Sequence, residues 1–158
     1  MLRFATLLTL TACGPPGREA DARAYAREMQ GLFVENKAIG REFLDVAALV
    51  KKQEVTTTEL ADRFAKRVVP RASELAKKVD AIDPGRSGLG PVHSGIERAW
   101  SIRAEAYTAL SNAWKDADNS AFTRALHDNR AVRKAEERYI EAINKLLSEH
   151  EVVLDPYP

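Results

Sequence analysis

A chain of 158 residues is long enough for one domain with a substantial core. Its charge is nearly balanced, with 24 Lys and Arg against 23 Asp and Glu, which gives no electrostatic case for nucleic acid or for an acidic surface. A single cysteine excludes an internal disulfide, and no apolar run beyond the first dozen residues is long enough to cross a membrane as a helix.

The chain opens MLRFATLLTLTACGPPG. Arg3 is a minimal positive region, Phe4 to Leu10 is apolar apart from Thr6 and Thr9, and the small residues Thr11 and Ala12 lead into Cys13. This is the layout of a secretory signal, too short to span a bilayer. The tetrapeptide Leu10-Thr11-Ala12-Cys13 resembles the lipobox of bacterial lipoproteins. The resemblance covers those four residues and their apolar approach and says nothing about the domain that follows. It implies that residues 1–12 are removed as a signal peptide and that Cys13 carries diacylglycerol on sulfur and an acyl chain on the new amino terminus. The membrane is then a partner, through lipid on Cys13. The implied location is the bacterial cell envelope, facing the periplasm, and Gly14 after the cysteine implies sorting to the outer membrane. Acylation also removes the thiol, and with it redox chemistry and thiolate metal sites. Several acyl chains are what stable anchoring needs, since one gives only marginal binding. Gly14-Pro15-Pro16-Gly17 propagates neither helix nor strand, so residues 13–17 read as the lipidated cysteine and a spacer.

Residues 18–150 show a strong 3.6-residue period and no clean strand alternation. The first helix is expected from about Arg18 to Gln53. Its stripe is Ala22, Tyr25, Met29, Leu32, Asn36, Ile39, Phe43, Val46 and Val50, with Asn36 the one polar member. Gly40 flanks that stripe at a cost of about 1 kcal/mol in helix propensity, which suggests a helix passing close by. Thr56-Thr57-Thr58-Glu59 fits a capping box, and a second helix follows to about Ile82. Pro70 inside it predicts a kink or short break.

Asp83-Pro84-Gly85 is a turn, and the loop to Pro91 is rich in glycine. The third helix is expected from about Val92 to Ala117, with Trp100, Tyr107 and Trp114 repeating every seven residues beside Ala99, Ala106 and Ala113. Large and small stripes side by side read as core packing. The next stripe, Phe122, Ala125, Asn129, Val132, Glu136, Tyr139, Ile143 and Leu146, is shifted by one residue. The slip falls at Asp116-Ala117-Asp118-Asn119-Ser120, whose polar side chains cap helices, so a short turn precedes a fourth helix from about Ser120 to His150. Four long amphipathic helices with short connections imply an all-α, antiparallel up-down-up-down four-helix bundle. The tail, residues 151–158, is expected to run over the end of the bundle.

Metal and haem motifs are missing: there is no Glu-x-x-His, no His-Glu-x-x-His and no Cys-x-x-Cys-His. Three histidines remain. Antiparallel packing puts His93 and His150 at one end, with Glu97 four residues after His93, while His127 lies towards the other end. A surface metal at His93 and Glu97, or haem b on Met29 and a histidine, is the minor reading; solvated terminal histidines are the ordinary one. Gly88-x-Gly90 lacks the third glycine and the preceding strand of a dinucleotide site, since His93 stands in that place. Basic residues on the second helix are offset by Glu59, Asp62, Glu74 and Asp80, as on a solvated face.

One polar constellation does stand out. Asn36, Arg103, Asn129 and Glu136 interrupt otherwise apolar stripes, and Arg71 borders the second. Folding about Asp118 puts Arg103 fifteen residues before the turn and Glu136 eighteen after it. That mismatch is roughly 4–5 Å of helix rise, within an arginine's reach. An Arg103–Glu136 ion pair at least partly buried is expected, with Arg71 or Asn36 nearby; the alternative leaves Arg103 at the stripe's edge with its charge in water. The functional expectation is a membrane-anchored envelope lipoprotein whose helical bundle makes protein contacts or acts as a scaffold. It has no catalytic residue, no cofactor and no nucleic-acid partner. The alternative is a periplasmic bundle that binds a cofactor, a metal or a small ligand.

Overall fold

A computed structural model of the chain describes residues 17–51, 55–85 and 88–156. Among them the regular structure is helical throughout. The elements are α1 (Arg18–Lys51), α2 (Thr57–Arg67), α3 (Val69–Asp80), α4 (Gly90–Lys115) and α5 (Asn119–Leu147), with a final 3₁₀ turn at Ser148–His150. The helices α2 and α3 form one limb, so the architecture is a four-helix bundle. Cys13 and the rest of the signal and spacer before Gly17 lie outside the described residues, as do residues 157 and 158.

The local chemistry explains the boundaries. Thr56 closes the predicted capping box: its hydroxyl accepts from the Glu59 amide at 3.2 Å, and the Glu59 carboxylate accepts from the Thr56 amide at 2.9 Å. The Thr56 amide and hydroxyl both donate to that carboxylate and hold it below the usual carboxylate range. The break between α2 and α3 falls at Val68, and Pro70 occupies the second position of α3, where a missing amide costs little. The α4–α5 turn forms where the hydrophobic phase slips. Ala117 takes the left-handed conformation at φ 51°, and the Asp118 amide reaches back to the Ala113 carbonyl at 2.9 Å. The Asp118 carboxylate then caps α5, accepting from the amides of Ser120 and Ala121 at 2.9 Å each.

Ring contacts show how the helices run relative to one another. Tyr25 meets His93, Phe33 meets Trp100 and Phe43 meets Tyr107, so α1 and α4 run parallel and face each other across the core. Phe64 on α2 meets both Tyr107 and Trp114 edge-on, at centroid distances of 5.5 and 5.1 Å, and Trp114 meets Phe122 across the turn. The α2–α3 limb and α5 are therefore antiparallel to α4. Beyond α5, Glu151 reverses the chain at φ 55°, and Val152 and Leu154 insert into the core. Asn144 brackets the backbone of Leu154, donating to its carbonyl at 3.0 Å and accepting from its amide at 2.7 Å.

Four seams join the bundle, and they differ. The α4 and α5 backbones approach closely along their length. By contrast α1 meets α5 through long side chains, such as Tyr25 to Tyr139 and Asn36 to Glu136. The close helix crossing expected at Gly40 is absent. A Cβ placed there would meet no atom within 4 Å, because Gly40 lines the open α1–α5 seam.

Candidate functional site

The centre of the bundle carries a closed polar cluster. Arg103, on the inward stripe of α4, and Glu136, on that of α5, are 8 % and 6 % exposed. The register that packs their apolar neighbours brings the two together. Arg103 Nη1 and Nη2 donate to the two Glu136 oxygens, the second at 3.0 Å. This is the planar fork that matches guanidinium to carboxylate. Three further groups surround the pair. Trp100 Nε1 donates to Glu136 Oε1 at 2.7 Å, and Asn36 spans both ions, donating to Glu136 Oε1 at 2.8 Å while its carbonyl accepts from Arg103 Nη1 at 2.7 Å. Asn129 accepts from Arg103 Nε at 3.4 Å. Three helices thus converge on one ion pair.

Of the residues expected in this layer, Arg103, Glu136 and Asn36 meet, and Arg71 does not. Arg71 leaves the second limb on its outer side, half-exposed, and shares Glu42 of α1 with Arg67; its distance to that carboxylate is 3.8 Å. The stripe of α3 restarts at Val68, and the break turns the edge position of Arg71 away from the core. Trp100 is the member that sequence reasoning left among the packing residues. Its position three residues before Arg103 put it on the same face.

A second buried chain lies at the end of the bundle where α1 begins. Here the expectation of a solvated His93 is overturned, because that residue is 1 % exposed. The helix α4 starts at Gly90, two residues earlier than expected, so His93 falls in an enclosed turn facing the core rather than at a frayed terminus. Its Nε2 lies 3.1 Å from the Val79 carbonyl and 3.2 Å from Glu97, and its Nδ1 lies 2.8 Å from the Tyr25 hydroxyl. Since a carbonyl only accepts, Nε2 carries a proton towards Val79 and Glu97, while Nδ1 shares a hydrogen bond with the Tyr25 hydroxyl. The Tyr25 hydroxyl also shares a hydrogen bond with that of Tyr139, 2.7 Å away. Burial pushes the Tyr25 phenol up to about 12 and lifts Tyr139 further above the ordinary phenol range. All three side chains are used in holding one another.

The other sequence candidates are dispersed. Met29 is wholly buried among apolar side chains, and His127 is exposed beside Asp128. Among the described residues no group of three or more His, Cys, Asp or Glu is placed to hold a metal.

A further feature is a groove of about 770 Å³ in the α1–α5 seam. Its walls are Asn36, Lys37, Gly40, Arg41, Phe43 and Leu44 of α1 and Leu126, Asn129, Arg130, Arg133 and Glu136 of α5, with Arg103 and Tyr107 of α4 behind them. Five cations and one carboxylate line it, and that carboxylate is already paired with Arg103. Leu44 is 64 % exposed at its edge. Sequence reasoning missed this groove, and the one available signal was Gly40, whose helix cost no close packing offsets. Compared with protein family models, curated proteins and solved structures, the chain matches none.

Proposed function

We propose that this chain is a lipid-anchored protein of the bacterial envelope whose four-helix bundle works by making contacts rather than by catalysis. The observation that carries the reading is the short distance from the lipobox-like Leu10-Thr11-Ala12-Cys13 to the first residue of α1, Arg18. Five residues of chain reach at most about 18 Å. Lipid on Cys13 would therefore hold one end of the bundle against the membrane, the end that carries Tyr25, His93 and the returning tail. The bundle itself is suited to a scaffold. Its buried polar groups are tied to one another across three helices, and no helix among the described residues is long and apolar enough to cross a membrane.

The test is phase partition in a cloud-point detergent after expression in a bacterial host. The wild-type chain should enter the detergent phase. Cys13→Ser should move to the aqueous phase or persist as uncut precursor. A wild-type chain that stays aqueous and full length defeats the anchored reading.

A further inference from the structure

We propose that the α1–α5 groove is a binding site for a single-chain amphiphile with an oxyanion head, of the long-chain carboxylate type. Three observations converge on that ligand. The first is size: about 770 Å³ lies within the range of small-molecule sites. The walls run from Asn36 to Leu44 and from Leu126 to Glu136, roughly 12–15 Å of helix. That is too short a track for a partner helix to bury the roughly 800 Å² that a stable protein interface needs. The second is composition. Phe43, Leu44, Tyr107 and Leu126 offer an apolar surface for a chain, between cations that suit an acid group.

The charge is also local. The whole chain carries a formal net charge of only +1. Of the rim cations Arg41 and Arg130 are exposed and have no carboxylate at ion-pair distance among the described residues, while Arg133 is paired with Glu137 at 3.3 Å. Arginine matches carboxylate and phosphate oxygens through its planar fork. The third observation is Gly40. Gly40 sits within a helix, on the groove wall, where a side chain would meet nothing. Gly31 has similar room but lies exposed and is not among the residues of this groove. Keeping position 40 bare leaves the seam open to an entering chain. The occupant is a dissolved amphiphile rather than a bilayer surface, because the apolar residues Phe43, Leu44, Tyr107 and Leu126 lie between the cations in a recess bounded by two helices. This goes beyond the proposed anchoring and is tested separately from it.

The test uses the full 158-residue chain carrying Cys13→Ser, so that attached lipid does not compete for the groove. Dodecanoate is titrated by calorimetry and by tryptophan emission, since Trp100 donates to Glu136 on the groove wall. Saturable binding of one dodecanoate per chain is expected, weakening as salt is added, with no comparable binding of dodecyltrimethylammonium. The double variant Arg41→Glu, Arg130→Glu should bind at least tenfold more weakly, and Arg98→Glu, outside the groove, should bind as before. Gly40→Met should fill the groove and lose binding at least tenfold while far-UV circular dichroism and thermal unfolding show an intact helical fold. The proposal is overturned if both amphiphiles bind alike or if either groove variant keeps full affinity. It is also overturned if only phosphatidylglycerol vesicles or an acidic helical peptide bind, or if nothing binds saturably.

Discussion

Arg103 and Glu136 lie where charge is costly, and their surroundings show how that cost is met. Each ion has its partner, and Asn36, Asn129 and Trp100 use the hydrogen-bonding positions that remain. Removing one member strands the other. Arg103→Met or Glu136→Gln should each lower stability by about 3–5 kcal/mol in chemical denaturation. The double variant should lose clearly less than the sum, because the two share one network. Single losses under about 1 kcal/mol that simply add would place both groups in water.

The Tyr25 phenol makes a pH prediction whose sign is fixed by burial. Its folded value, about 12, lies above the ordinary 10. The neutral phenol is therefore favoured by folding, and that stability is fully present below about pH 10 and is lost as pH rises through about 12. Alkaline titration followed by circular dichroism should show unfolding in that interval, and Tyr25→Phe should shift the transition. The meeting of Arg103 with Glu136 could be found in the sequence by counting residues from the turn, since helix rise converts position to height. The burial of His93 was only half legible: seven residues before Trp100 it falls on the inward stripe, but that its turn is ordered and covered depends on α4 starting at Gly90.

At the scale of the element, helix ends and breaks follow from side-chain chemistry that is local in sequence. Thr56 with Glu59, Pro70 and Asp118 each act on backbone groups within a few residues, so these boundaries were legible. The turn between α4 and α5 contains one local compromise. Ala117 holds a left-handed conformation that a Cβ disfavours. Ala117→Gly should raise stability by up to about 1 kcal/mol, and Asp118→Ala, which uncaps α5, should lower it by about 1 kcal/mol; thermal unfolding of the two variants measures both. The widths of the seams between helices were not legible. Three of the four are set by short connections and interlocking rings. No connection joins α1 to α5, so nothing in the local sequence reports their separation. The groove and the true setting of Gly40 were missed for that reason, and Arg71 was misplaced because a break at Val68 turns its helix.

Taken as a whole, the molecule has two unlike ends and an open α1–α5 seam. One end holds the His93–Tyr25–Tyr139 chain beneath the folded-back tail, and α1 begins there, five residues after Cys13. The other end holds the α4–α5 turn. A tether at Cys13 would present the α1–α5 groove on the side of the bundle, clear of the chain end. The anchor is the claim on which this arrangement depends. Intact-mass spectrometry of the protein extracted from bacterial membranes tests it most directly. A chain that begins at Cys13 and carries the added mass of a diacylglycerol and an amide-linked acyl group is expected. A chain that begins at Met1 with an unmodified Cys13 thiol would contradict it.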